Sequence, residues 1–82
     1  MYKIEWKEGA IKELEKLETV ISKRIYAKIS ELSKKPFSGD IKKLKGMQGY
    51  RLRIGDYRVI FEVSQDTIII FKIGHRKNIY ER

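Results

Sequence analysis

Hydrophobic and polar positions alternate most regularly between Gly49 and Tyr80, in the stretch GYRLRIGDYRVIFEVSQDTIIIFKIGHRKNIY. Two β-rich runs flank Gly55-Asp56, and a two-residue loop with glycine first suits a type II′ hairpin turn. Counting outward from that turn sets Ile54 against Tyr57, Arg53 against Arg58, Leu52 against Val59, Arg51 against Ile60 and Tyr50 against Phe61. Successive side chains of a strand point to opposite faces. Tyr50, Leu52, Ile54, Tyr57, Val59 and Phe61 therefore share one face, and Arg51, Arg53 and Arg58 share the other. The first face is a core and the second is cationic.

A third run, Thr67 to Ile73, follows a turn near Gln65-Asp66 and is apolar on both sides apart from Lys72, as in a strand covered on both faces. Symmetric closure of that turn sets Val63 against Ile68 and puts Ile69, Phe71 and Ile73 on the arginine side. There they form an apolar floor for a partner helix, a stacked base or the chain's own C-terminal segment. Upstream, Tyr2 to Trp6 alternates like a first strand. Ala10, Ile11, Leu14 and Leu17 follow the i, i+3, i+4, i+7 spacing of an amphipathic helix. The apolar phase resets near Glu18-Thr19, and Ile21, Ile25, Ile29 and Leu32 make a second stripe, which ends at Lys34-Lys35-Pro36 because proline disfavours a helical residue before it. Phe37 to Asp40 reads as a loop, and Ile41 to Met47 leads into the hairpin.

The predicted architecture is α+β, one domain over residues 1–82. It has an N-terminal strand, a two-helix hairpin and a three-stranded antiparallel meander, with the helices packed on one face of the sheet.

Length and composition narrow the chemistry. Eighty-two residues allow one modest core. With no cysteine, disulfides and thiolate metal sites are excluded, and one histidine among scattered carboxylates gives no zinc spacing. No cofactor is expected. No run approaches the length of a membrane span, and the N-terminus lacks the order of a signal peptide, so a soluble cytoplasmic protein without a membrane partner is expected. The net charge of +8 permits a polyanionic partner without naming one.

The arginine pattern is more specific. Like charges directly opposed across two strands destabilise a sheet, so the Arg53–Arg58 opposition needs a compensating reason. Three guanidiniums converging on one side of a hairpin point to a polyanion site, since their planar forks stay charged and match phosphate oxygens two at a time. Lys42, Lys43 and Lys45 are either ordinary surface residues or the rim through which an RNA strand enters. Glu62 projects to the same face as a charge partner for the arginines. His75 carries the one side chain whose ordinary titration range suits acid–base work near neutrality. It is equally a polar residue in an exposed loop after Gly74.

The order strand, helix, helix, three strands, with YRLRIGDYRVIFEV and a terminal GHRKNIY, resembles the RelE toxins of the RelE/ParE superfamily over essentially the whole chain. GDYRVIFEV is shared across that superfamily; the basic residues before it and HRKNIY favour its RNA-cleaving branch. The resemblance implies a RelE-like, microbial-RNase-like fold. It also implies a metal-independent, ribosome-dependent messenger RNA endonuclease (an mRNA interferase) of a type II toxin-antitoxin system, silenced by a cognate antitoxin and monomeric on its own. Carried over residue by residue, it assigns Arg51 and Arg53, at alternate positions of one strand, to gripping the RNA phosphates. Arg58 and Arg76 are assigned to the scissile phosphate, and Tyr80 to stacking on a base. The gripping positions are lysines in the best-known member. Arginine there removes an obvious proton acceptor and leaves His75 as the remaining catalytic candidate. Two alternatives stand beside this reading: a ParE-like DNA gyrase inhibitor, and a non-catalytic module that binds RNA or an antitoxin.

Overall fold

The computed structural model describes residues 1–35, 37–46 and 48–77. The elements run β1 (Lys3–Trp6), α1 (Glu8–Glu15), α2 (Thr19–Lys34), β2 (Asp40–Lys43), β3 (Tyr50–Ile54), β4 (Tyr57–Ser64) and β5 (Thr67–His75). They form an α+β fold with one five-stranded sheet in the order β1-β5-β4-β3-β2. β1 runs parallel to β5, and the other pairings are antiparallel.

The hairpin register is the one the turn chemistry predicts: Ile54 pairs with Tyr57, Arg53 with Arg58, Leu52 with Val59, Arg51 with Ile60 and Tyr50 with Phe61. Gly55 takes φ +58° while Asp56 does not enter positive φ, as a type II′ turn requires. The face read as core is core. Leu52, Ile54, Val59 and Phe61 are buried together with Ile68, Ile70 and Ile73 of β5 and with Ala10, Ile25, Ile29 and Leu32 of the helices. α2 ends where expected, Lys35 being extended at φ −138° and ψ 91°. Ile11 leaves the predicted stripe and is exposed. Ala10 and Leu14 of α1, with Leu17 just beyond its end, pack on the core, and Ile11 stands about 100° around the helix from Ala10.

Two expectations are corrected. Asp40 does not end a loop. It opens a fourth antiparallel strand, β2, which pairs Asp40 with Arg53, Ile41 with Leu52, Lys42 with Arg51 and Lys43 with Tyr50. This pairing buries part of Ile41 against the core and covers the edge that β3 would otherwise present.

The second correction concerns β5. Its turn closes as expected, with Val63 opposite Ile68 and Ile69 opposite Glu62, but the register then shifts between Ile60 and Phe61. Phe61 pairs with Ile70 and Ile60 with Lys72, leaving Phe71 as the extra residue of a β-bulge. Beyond it the faces exchange. Ile73 is therefore not on the arginine side; it pairs with Val59 and is 2% exposed in the core. Without the bulge, Val59 would oppose Lys72 and an ammonium would point into the core. Burying an isoleucine instead contributes about 1.5–3 kcal/mol and avoids desolvating the lysine.

Candidate active site

The pairings arrange the sheet surface away from the helices in cross-strand rows. One row reads Lys42, Arg51, Ile60, Lys72 and the next reads Asp40, Arg53, Arg58, Gly74. Neighbours in a row are about 4.8 Å apart by strand spacing. The floor of these rows is Ile60, buried with Leu44; of the three residues predicted there, Ile69 keeps its place on this side opposite Glu62, Phe71 is the bulge residue and Ile73 has gone to the core. A two-residue loop makes Ile54 and Tyr57 a hydrogen-bonded pair. Arg53 and Arg58 are then a pair of the closer kind, in which side chains crowd most.

Acidic and carbonyl oxygens dissipate that crowding. Arg58, buried to 9% exposure, turns toward the hairpin loop, where its Nη1 donates to the carbonyls of Gly55 (3.4 Å) and Tyr57 (3.3 Å). Arg76 reaches the same turn. Its backbone N–H donates to the Asp56 carbonyl at 2.8 Å, and its Nε lies 3.8 Å from Asp56 Oδ1. At the other end, Asp40 meets two arginines, with Oδ1 3.4 Å from Arg51 Nη2 and Oδ2 3.9 Å from Arg53 Nε. The structure thus brings Arg51, Arg53 and Arg58 to one face and Arg76 to the turn at its end. Gly74, beside Arg58 in the second row, has no side chain to block a polymer backbone there.

His75 is separated from this group. The bulge sets it opposite Tyr57, on the helix side of the sheet, where the two rings meet edge to face at 5.4 Å between centroids. Its Nδ1 accepts the Lys77 N–H at 3.2 Å. It lines a groove of about 630 Å³ between α1 and the second half of β5, together with Lys12, Lys16, Leu17 and Tyr57. Of the three lysines, Lys42 stands beside Arg51 on the arginine face, Lys43 lies opposite Tyr50 on the other face, and Lys45 is exposed in the turn after β2. Tyr80 lies outside the described residues.

Two residues of the face were missed from the sequence. Lys72 joins it through the bulge, a shift signalled only by its being the one charged position in an apolar run. Asp40 joins it through β2, and nothing in the segment DIKK alternates clearly enough to announce a strand.

A family model for the ParE toxin of type II toxin-antitoxin systems, parDE, matches residues 4–80. The chain is 42% identical over 76 residues to toxin RelE3 of Methanocaldococcus jannaschii, covering 87% of this chain and 86% of that protein. Among solved structures it resembles the toxin of the RelB-RelE antitoxin-toxin complex from Methanococcus jannaschii, at 38% identity and a TM-score of 0.78, covering 93% of this chain and 94% of that one. It also resembles the archaeal RelE-RelB complex from Pyrococcus horikoshii OT3, at 29% identity and a TM-score of 0.79, covering 95% of this chain and 98% of that one. With the arginine face held on the same α+β frame, the chain belongs to the ParE toxin family of type II toxin-antitoxin systems, among its RelE-type members.

Proposed function

We propose that this toxin is an endoribonuclease that cuts messenger RNA in the ribosome, in the cytoplasm, through attack of the RNA's own 2′-hydroxyl on the adjacent phosphorus. The observation that carries the reading is the pair of rows that sets Arg51, Arg53 and Arg58 on one face, with Arg76 at its end. In this reaction the 2′-hydroxyl gives up its proton and its oxygen bonds to phosphorus as the bond to the 5′-oxygen breaks; the 5′-oxygen takes up a proton, leaving a 2′,3′-cyclic phosphate and a 5′-hydroxyl. Negative charge grows on the non-bridging oxygens. Preorganised cationic donors aimed there are worth on the order of 3–4 kcal/mol each, by analogy with an oxyanion hole. Arg58 and Arg76, each held against the hairpin turn, serve the scissile phosphate, and Arg51, Arg53 and Lys42 hold it and its neighbours. Tyr80 stacks on a base and brings the 2′-hydroxyl into line. With His75 on the helix side, the chain contributes charge and orientation rather than an imidazole base, and cleavage is dominated by positioning.

The relatives from Methanococcus jannaschii and Pyrococcus horikoshii OT3 are antitoxin–toxin complexes. We infer a cognate antitoxin for this chain too, with an acidic part near the arginines and an amphipathic segment on exposed apolar surface. Primer extension on messenger RNA in a purified translating system tests the nuclease reading. Cuts that vanish in Arg58→Ala and Arg76→Ala variants of unchanged circular dichroism support it, and full activity in both rejects it. A second reading, inhibition of DNA gyrase, is favoured by the ParE name of the matching family model; it requires loss of supercoiling with intact messenger RNA. A module that only binds RNA would lose affinity with salt at a log–log slope of about −0.7 per phosphate contact, and would break no strand.

A further inference from the structure

Asp40 is the carboxylate of the arginine rows. It closes the second row beside Arg53, on the side away from Arg58, and its two oxygens divide between two guanidiniums: Oδ1 toward Arg51 Nη2 at 3.4 Å and Oδ2 toward Arg53 Nε at 3.9 Å. Arg51 and Arg53 are two residues apart on β3, about 6.8 Å along the strand. One carboxylate therefore lies between two like charges of the same strand and touches both. An isolated exposed ion pair fixes little. This arrangement differs in two respects. Arg51 is 9% exposed, so its head is already confined when Asp40 meets it. Asp40 is itself held by backbone pairing with Arg53 and by the entry into β2 at Gly39, where φ is +94° and a Cβ would press on Leu52 Cδ1 at 3.3 Å.

We propose that Asp40 is a positioning residue for the nuclease face: it splints Arg51 and Arg53 so that both forks meet the RNA phosphates already aligned. The assignment rests on the nuclease reading above. Arg53 keeps half of its side chain exposed beside Asp40, so its fork is open to the RNA while the carboxylate sets its direction.

The test compares wild type, Asp40→Asn, Asp40→Glu and Glu31→Gln, the last being a control for the same change of net charge on the far side of α2. Cleavage of messenger RNA on ribosomes is measured under single turnover and at varied ribosome concentration, with thermal melts run in parallel. Asp40→Asn is expected to lower the maximal rate about 10- to 100-fold, by analogy with removal of the outer partners that orient metal ligands. Apparent KM should stay level or fall, because the face becomes more positive. Asp40→Glu should recover part of the rate, and Glu31→Gln should match wild type. An Asp40→Asn protein with the wild-type rate, or one altered only in KM, overturns the proposal. A second readout needs no catalysis. In ¹⁵N spectra of the arginine Nε–Hε groups, Arg53 should show restricted motion in wild type that is lost in Asp40→Asn. If wild type cleaves nothing while these signals respond as expected, the nuclease reading fails and the splint stands; unchanged signals refute the splint whatever the nuclease does.

Discussion

Replacing Arg58 by alanine separates chemistry from folding, because the two effects differ in size. On the stability side, the side chain is 9% exposed and its Nη1 makes hydrogen bonds of 3.4 and 3.3 Å to the hairpin turn. Bonds of that length are long, and each contributes about 1 kcal/mol at most. Their loss is partly offset by relief of the opposition with Arg53, worth a few tenths to about 1 kcal/mol. From these contacts the change is about 1 kcal/mol of destabilisation, a fall in Tm of about 4–8 °C for a domain of this size. A protein with a typical stability of at least about 5 kcal/mol stays almost wholly folded after such a loss. On the catalytic side, removing one preorganised donor to developing phosphate charge costs about 10²- to 10³-fold in rate. The assay is the yield of cut messenger RNA at fixed time on purified ribosomes, read by primer extension beside a thermal melt. Arg58→Lys, which keeps the charge but loses the fork, should fall between the two. If Arg58→Ala cleaves within about tenfold of wild type, Arg58 does not bear on the scissile phosphate and the assignment is wrong.

Gly49 holds φ +110°, and a Cβ there would lie 2.9 Å from the Phe61 carbonyl oxygen and 3.2 Å from Glu62 Cγ, so Gly49→Ala should lower stability by about 2 kcal/mol or more in urea melts. Gln65 is the one non-glycine residue at positive φ among those described, at 54°; Gln65→Gly should raise Tm by a few degrees, net of the added freedom of the unfolded chain, equivalent to about 0.5–1 kcal/mol. His75→Gln should leave the pH dependence of cleavage between pH 5.5 and 8 unchanged, since the imidazole packs on Tyr57 across the sheet from the arginines; loss of an acidic limb in that variant would return His75 to the reaction.

What could be read along the chain was whatever short-range physics decides. The register of β3 against β4 is set by one glycine-led turn and a strict alternation. The core face, the arginine face and the Arg53–Arg58 opposition are therefore legible in the sequence, as are the two helical stripes and the end of α2 before a proline. What only the tertiary structure decided depends on distant partners. Asp40–Lys43 becomes a strand because β3 has a free edge to receive it, and that pairing delivers Asp40 and Lys42 to the arginines while sending Lys43 to the other side. The bulge at Phe71 arises from competition between Ile73 and Lys72 for the space under the helices, a contest no local pattern expresses. Its outcome moves Lys72 onto the arginine face and takes His75 off it. One inserted residue exchanges every later side chain between faces, because a strand repeats every two residues; the group most attractive as a base on sequence grounds was for that reason the one most exposed to error.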